Sequence, residues 1–517
     1  METKNRSDSV HPPGEVAGGE LAVVEKGVCL DTYGGKVHIE WDPEAAVTPL
    51  GQLPFFVAFL KAGGLYDPWV SECPLRYTSP NAPSKRDVLG TLLLSILSGH
   101  RRYAHVSGLR GDGVSPELLG MSKVVSEDSV RRAFGVADER SCSDWQERHL
   151  DFCCGPLLYE PWILDVDTTV KTLYGHQEGA EVGFNPSKPG RPSHTYHTYF
   201  VANLRLVLDV EVQAGNRTAA RYSRPGLWSL LDRLGRGRWP RFVRGDCAWG
   251  NEGPMRECED RGLDYLFKVR QTANVRRLIV RLFQRRDWVD AGQGWEGTEA
   301  GLQLTGWSRS RRVVVLRRRL RDDFALAGKD ERGQLEMAFI ESGDPIVKYE
   351  YAVLVTSLSD PVLTVAQHYR DRADAENNFD ELKNHWGWCG YTTHDLHRCR
   401  IMARAVAQVY NWWSLFVRLA IPERHAEAMT SRPLLLHGVG KLTRHAGQTK
   451  VTITSMHGKE KKSRKILLGV GRFFKALDSI AEQLTRLERW RWLLSAIFRK
   501  FLGGRLLRSP LMLEFSG

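Results

Sequence analysis

A chain of 517 residues, 42% hydrophobic and 26% charged, is too long for one ordinary core and predicts about two to four domains of a soluble globular protein. Its 73 Lys and Arg against 61 Asp and Glu leave a formal charge of +12, which favours polyanions, nucleic acid ahead of anionic membrane. The longest apolar run, Val88–Leu97, is about half the length a bilayer span needs, and the nine cysteines show no C-x-x-C spacing, so a membrane helix, a structural zinc site and a disulfide framework are all disfavoured.

In chain order, residues 1–20 are polar and rich in Gly and Pro, which predicts a disordered arm rather than a secretory signal, in a reduced cytoplasmic protein. Residues 21–155 are expected to be mainly helical and DNA-binding. Ser84 is positioned to cap a helix through Val88–Leu97, and Ser126 to cap a short one carrying Arg131 and Arg132. That short helix suits either helix-turn-helix contact with DNA or a small helical domain with a wet face. From 156 to 270 the order β-β-β-α-β-α-β describes a mixed α/β domain. Residues 271–357 read as a β-rich insertion. A helix is predicted over Val362–Asn384 within a second core segment, 358–420, and residues 421–517 as a basic helical region that includes Lys441–Lys465.

Three acids stand out by position. Asp167 lies at the end of the first strand, Asp246 ends a later one in R-G-D-C-A-W, and Glu376 sits on the predicted helix. Two strand-end Asp and a Glu on a helix packed against them form the kind of carboxylate cluster that holds two divalent ions about 3.5–4 Å apart. Asp165 faces the same side of its strand as Asp167, so either could be the ligand; Asp167, next to Thr168-Thr169 and nearer the strand end, is preferred, with Asp165 and Asp209 structural. His176, His194 and His197 lack zinc-motif spacing and are read as packing or DNA-contacting residues. Along the predicted helix, Tyr369, Arg372, Glu376 and Lys383 follow one another at steps of 3, 4 and 7, which return to one helix face.

The pattern Y-x2-R-x3-E-x6-K at Tyr369, Arg372, Glu376 and Lys383 resembles the Y-R-E-K signature of DDE insertion-sequence transposases. Asp165–His197 and Tyr410–Leu419 resemble the first-acid region and the post-catalytic segment of bacterial members, and the likeness extends from about Arg86 to Leu507. The resemblance implies a ribonuclease H-like mixed α/β sheet with a β-rich insertion domain between the second and third acids, flanked by N-terminal and C-terminal helical regions for DNA binding and dimerisation. It implies a cut-and-paste DNA transposase with catalytic and metal-binding Asp167, Asp246 and Glu376, two Mg2+ ions replaceable by Mn2+, and double-stranded DNA, both transposon ends and target, as substrate. A homodimer on DNA, no membrane partner and a bacterial cytoplasmic, nucleoid-associated location follow from the same likeness. Arg372 and Lys383 would then contact DNA phosphates, the first as a planar fork and the second as a point charge, with Tyr369 donating its hydroxyl. Relatives release the element through a DNA hairpin, and Trp307 is the candidate for stacking a flipped base. The neighbouring arginines from Arg309 to Arg319, Arg311 and Arg312 among them, are expected to form a phosphate track. A decayed, repressor-like transposase would lack an acid, and all three are present; a nuclease that cuts without joining is the other alternative.

Overall fold

The computed structural model describes residues 27–42, 44–77, 79–320, 337–339, 347–388, 390–454 and 459–507. The expected arm at 1–20 and the side chains of 374–376, Glu376 included, lie outside the described residues. The chain divides at Ala46. The first unit holds an antiparallel hairpin of β1 (Val28–Thr32) and β2 (Gly35–Ile39), turning at Gly35 with φ +102°. Alternation in V-C-L-D-T and G-K-V-H-I around a Gly-Gly pair is the strand signal here, within a stretch expected to be mainly helical.

The second unit opens with β3 (Val47–Thr48) and six helices: α1 (Leu53–Ala62), α2 (Tyr66–Ser71), α3 (Lys85–Leu97), α4 (Ser115–Leu118), α5 (Glu127–Gly135) and α6 (Glu139–Cys154). Ser84 and Ser126 cap α3 and α5 as the sequence predicts, accepting from the N–H of Asp87 at 3.0 Å and of Ser129 at 3.2 Å. The apolar run Val88–Leu97 is buried along its whole length in α3. No helix among the described residues is long and apolar enough to cross a membrane.

The large sheet follows in chain order: β4 (Ile163–Thr172), β5 (Glu181–Val182), β6 (Pro192–Val201), β7 (Leu206–Ala214), α7 (Ala220–Leu234), β8 (Phe242–Gly245), α8 (Glu252–Asp260) and β9 (Asp264–Lys268). Strand β6 lies between β4 and β7, antiparallel to both, while β8 and β9 run parallel to β4 on its other side. Apolar residues run unbroken through the buried central strands, as in Phe242-Val243 and Tyr265-Leu266-Phe267, because both faces are covered.

The insertion contains a helix, α9 (Ala273–Phe283), and the strands β10 (Val289–Gly292), β11 (Trp295–Leu302), β12 (Arg311–Arg319), β13 (Met337–Phe339) and β14 (Val347–Thr356). Its strands do not form a sheet of their own. Leu354–Thr356 of β14 pairs antiparallel with Leu266–Lys268 of β9, so the insertion prolongs the core sheet at its parallel edge. The insertion is rich in strands, as read from the sequence, and those strands continue the core sheet. An edge strand with unpaired amides is a natural continuation point.

The helix expected over Val362–Asn384 is two helices, α10 (Val362–Arg370) and α11 (Ala373–His385), joined through Asp371 and Arg372. Val365 and Ala366 of α10 bury against Phe242, Leu266 and Leu354 of the sheet. The long α12 (Leu396–Ala420) then lies on β7 and α6 and binds the N-terminal helices to the sheet. Along it, Asn411 accepts from Val207 N–H at 2.9 Å and donates to the same residue's carbonyl at 2.7 Å, Arg404 pairs with Asp209 at 2.8 Å, and Gln146 of α6 donates to the Ile401 carbonyl at 2.9 Å. Each of these three buried side chains reaches a partner across the interface, which favours one packing over a slippery apolar one.

After α13 (Ala428–Leu435) comes a hairpin, β15 (Gly440–His445) and β16 (Gln448–Ile453), which pairs with β3. This corrects the helical reading of Lys441–Lys465 for its first half. Three threonines, with Leu442, Val451 and Ile453, favour those strands, and Ala446-Gly447, both at positive φ, make the two-residue turn of a β-hairpin. Helices α14 (Glu460–Ala481) and α15 (Arg486–Ile497) end the described chain. A capping box between Thr485 and Glu488 starts α15.

Candidate active site

The two acids of β4 have different surroundings. Asp165 is 1% exposed and sits opposite Arg244 in the parallel β4–β8 register. Arg244 grips it with a bidentate fork, Nε to Oδ1 at 2.5 Å and Nη2 to Oδ2 at 2.7 Å, and also donates to the His368 carbonyl of α10. Asp165 therefore ties β4, β8 and α10 together, and both its oxygens are occupied. Asp167, two residues on, keeps a side chain 15% exposed. Its Oδ1 accepts from Thr168 N–H at 2.7 Å, and its Oδ2 accepts from the Arg372 guanidinium at the α10–α11 joint.

Asp246 is the first residue after β8 and accepts from Ala248 N–H at 2.9 Å, holding the turn that follows. The two aspartates sense one another. Burial pushes the Asp167 carboxyl up to about 6, the Arg372 charge opposes the rise and the Asp246 charge adds to it. Burial works against the Arg372 cation too, yet Asp167, with Tyr369 and Asp246 behind it, holds that guanidinium protonated above its ordinary range. Burial keeps the Tyr369 phenol neutral, and the carboxylates of Asp246 and Asp167 reinforce this against the pull of Arg372.

A cleft of about 800 Å³ opens on Asp246. Thr168 and Thr169 of β4, the start of α7 at Thr218–Arg221, the turn after β8, Leu304–Trp307 of the insertion and Lys383 of α11 line it. Lys383 is half-buried, its Nζ 5.9 Å from the Phe379 ring centroid. Glu376 stands one turn into α11, four residues beyond the Arg372 that anchors this helix on Asp167. Among the described residues no group of three or more His, Cys, Asp and Glu could hold a metal ion; the described part of the acid cluster is the Asp167 and Asp246 pair.

The basic residues of the insertion depart from expectation. Arg311 has a side chain only 2% exposed, forked to Glu259 at 2.7 and 3.0 Å and bonded to Glu252 at 2.7 Å. Arg312 pairs with Glu299 at 2.6 Å and donates to the Leu358 and Asp360 carbonyls. Arg309, Arg317 and Arg318 pair with Glu259, Glu296 and Glu350. Arg309, Arg311, Arg312, Arg317 and Arg318 are thus matched by acids of α8, β11 and β14, an environment that the reading of a phosphate track did not foresee. Trp307 is 8% exposed and packed beside Arg311, 5.4 Å from ring centroid to guanidinium carbon, at the cleft wall.

The histidines divide by environment. His176 is exposed, His194 bonds to the Glu178 carbonyl at 2.8 Å, and His197 meets the Thr168 hydroxyl at 2.9 Å, its burial holding it down to about 4. Two partners escaped the sequence reading: Arg244, and Arg372 as the counter-ion of Asp167. A charge inside the apolar strand F-V-R-G was the available signal for the first, since a buried guanidinium demands a carboxylate nearby.

Residues 81–472 match the family described as Transposase DDE domain group 1. No curated protein matches the chain. Among solved structures, the piggyBac transposase synaptic complex with hairpin DNA is similar at 11% identity and a TM-score of 0.37, over 87% of this chain and 85% of that one.

Proposed function

The chain belongs to the DDE-domain transposases of group 1 and is a transposase of the DDE enzyme type; from that footing we propose that it binds the ends of a bacterial insertion sequence and performs metal-dependent strand cleavage and strand transfer on double-stranded DNA. The observation that carries this reading is the position of Asp167 on β4 and of Asp246 directly after the adjacent parallel β8, each within reach of the other's charge, beside a cleft walled by the helix that bears Glu376 and Lys383. The strand order β7-β6-β4-β8-β9, three antiparallel strands then two parallel ones, supports a ribonuclease H-like core.

DDE transposase domains use divalent metal ions, and the donors present suit one. They are carboxylate oxygens, hard ligands of the kind Mg2+ and Mn2+ prefer. A cation, the Arg372 guanidinium, already occupies Asp167, so this position accommodates positive charge. Asp167, Asp246 and Glu376 would hold the ions, whose charge stabilises the oxygens entering and leaving phosphorus.

The protein's own groups do the rest. Lys383 offers its ammonium to a phosphate in the cleft, and the neutral Tyr369 phenol can donate to a phosphate oxygen. Arg372 holds α11 in place and becomes available to DNA once Asp167 no longer needs it as counter-ion. In the first step a water oxygen attacks phosphorus at the element end, the bond to the 3′ oxygen breaks, and a 3′-hydroxyl and a 5′-phosphate result. In the second, that hydroxyl attacks a target phosphodiester and displaces its 3′ oxygen. Excision through a DNA hairpin, with Trp307 as the stacking ring, and a dimer on DNA in the bacterial cytoplasm complete the proposal.

The test uses duplexes carrying the DNA that flanks the gene. Wild-type protein with Mg2+ or Mn2+ should nick these ends and join them to target DNA, and Asp246→Asn should do neither. Nicking that survives in Asp246→Asn sinks the acid assignment; cutting by the wild type without joining leaves a nuclease.

A further inference from the structure

The positive charge of the chain is not spread evenly. Residues 440–477 hold ten Lys and Arg against the single acid Glu460, so 38 residues carry +9 of the overall +12. Arg309, Arg311, Arg312, Arg317 and Arg318 of the insertion meet acids, whereas among the described residues most cations of this segment do not. Among the described residues it makes two ion pairs, Arg444 with Glu117 at 2.6 Å and Arg464 with Glu460 at 4.0 Å.

The fold gathers this charge onto one module. On α14, Ser463, Leu467, Val470, Phe474 and Leu477 form the buried stripe, at steps of 4, 3, 4 and 3. Lys461, Lys465, Leu468, Arg472 and Lys475 repeat the same steps on the opposite face, all exposed. The rise of an α-helix spreads those cations over about 21 Å. Beside α14 stands the β15–β16 hairpin, with Val451 and Ile453 meeting Ser463 and Leu467 across a shared groove. Its outward face, Lys441, Thr443, His445, Gln448, Lys450 and Thr452, is wholly exposed and polar. No residue of the module lines the cleft at Asp246.

We infer that this hairpin and the cationic face of α14 form a second docking surface, which grips the phosphate backbone of duplex DNA outside the catalytic cleft; the inference rests on the transposase reading. Charge complementarity picks out the partner. Duplex DNA presents about one phosphate per 1.7 Å of axis, so each of the four cations spread over about 21 Å of α14 can meet a phosphate. Its major groove also admits a two-stranded ribbon. A membrane surface fits less well, because an interfacial helix inserts an apolar face. The apolar face of α14 is instead packed inside the protein, leaving Leu468 alone among large apolar side chains on the outer stripe. Single strands are bound by stacking on exposed aromatics. The hairpin has none, and Phe473 of α14 is stacked on Trp492 at 5.5 Å.

The experiment is a salt series of fluorescence anisotropy in EDTA, with the full chain and a 30-base-pair duplex. The quadruple variant K461Q/K465Q/R472Q/K475Q should bind at least tenfold more weakly, and the slope of log K against log salt should fall by about three to four, near 0.9 per lost phosphate contact. The control R148Q/R256Q/R261Q/R285Q removes as much charge from exposed arginines already paired with acids, and should leave the slope unchanged. Matching thermal melts would show that both variants are folded. An unchanged slope in the first variant overturns the docking surface and leaves the transposase reading intact. Absence of duplex binding by the wild type refutes the transposase reading itself. A single strand that competes as well as the duplex, or a loss confined to phosphatidylserine vesicles, overturns the choice of partner.

Discussion

Replacing Asp167 by Asn should stabilise the metal-free protein. Burial, reinforced by Asp246, lifts this carboxyl from 3.8 to about 6 even with Arg372 attached. At 1.36 kcal/mol per pH unit, keeping it ionised at neutral pH costs the folded state at most about 3 kcal/mol. The sign follows from the raised value: the folded protein holds this proton more tightly than the unfolded chain. Stability from the site is thus whole below pH 3.8, declines as pH rises toward 6, and is fully lost above it. Asn keeps the shape and an acceptor for Arg372 while removing the charge. Arg372→Gln should act in the opposite direction, since it leaves two neighbouring carboxylates without their counter-ion. Urea unfolding in EDTA would read both effects, with Asp167→Asn more resistant than wild type at pH 7.5 and the difference vanishing by about pH 4. Adding Mg2+ or Mn2+ should raise the wild type and not the variant. If Asp167→Asn proves as destabilised as Arg372→Gln, the pair is an ordinary structural salt bridge and the reasoning fails.

Protons also compete with metal at Asp167, so divalent-dependent cleavage should decline on the acid side of about pH 6, roughly tenfold per unit while one proton must be displaced; a flat profile from pH 7 to 5 would exclude this carboxyl. Glu376→Gln should abolish cleavage and joining in a gel assay and leave duplex affinity within about twofold, since a carboxylate adds nothing to phosphate binding. Lys383→Ala should weaken binding and lower the salt slope by about one. Arg311→Gln should instead leave the slope alone and lower stability by about 3–5 kcal/mol in denaturant melts, because Glu252 and Glu259 lose a buried partner. A slope reduced without loss of stability would restore Arg311 to the phosphate track.

What the sequence disclosed depended on how local the signal was. Serine caps and apolar periodicity act within a few residues, and α3, α5, β4 and β8 lie where those signals placed them, but Asp167, read as a strand-end acid beside a turn, is the fifth of the ten residues of β4. The hairpin at 440–453 had local signals too, alternation and an Ala-Gly turn, but its Lys and Arg content masked them. The continuation of the insertion into the core sheet was not legible, because it depends on β14 meeting β9 about 90 residues away. Charge was the least legible property. A run of arginines reads as a patch for DNA, yet whether it is free depends on acids supplied by other elements, here Glu252, Glu259, Glu296, Glu299 and Glu350.

The same reasoning changes the meaning of the stripe Tyr369, Arg372, Glu376 and Lys383. Helical periodicity alone puts these groups on one face, as if all four addressed the substrate together. The break at Asp371–Arg372 gives them separate duties, with Tyr369 on the helix before the joint and Glu376 and Lys383 on the helix after it. Arg372, at the joint, closes onto Asp167 and so sets where α11 begins relative to β4. A residue that reads as a phosphate ligand is in this structure the fastener between the first acid and the helix bearing the third. In the proposed mechanism a cation that took over Asp167 would release that fastener toward the cleft, so assembly of the acid cluster and engagement of DNA by Arg372 would be coupled through the Arg372–Asp167 pair.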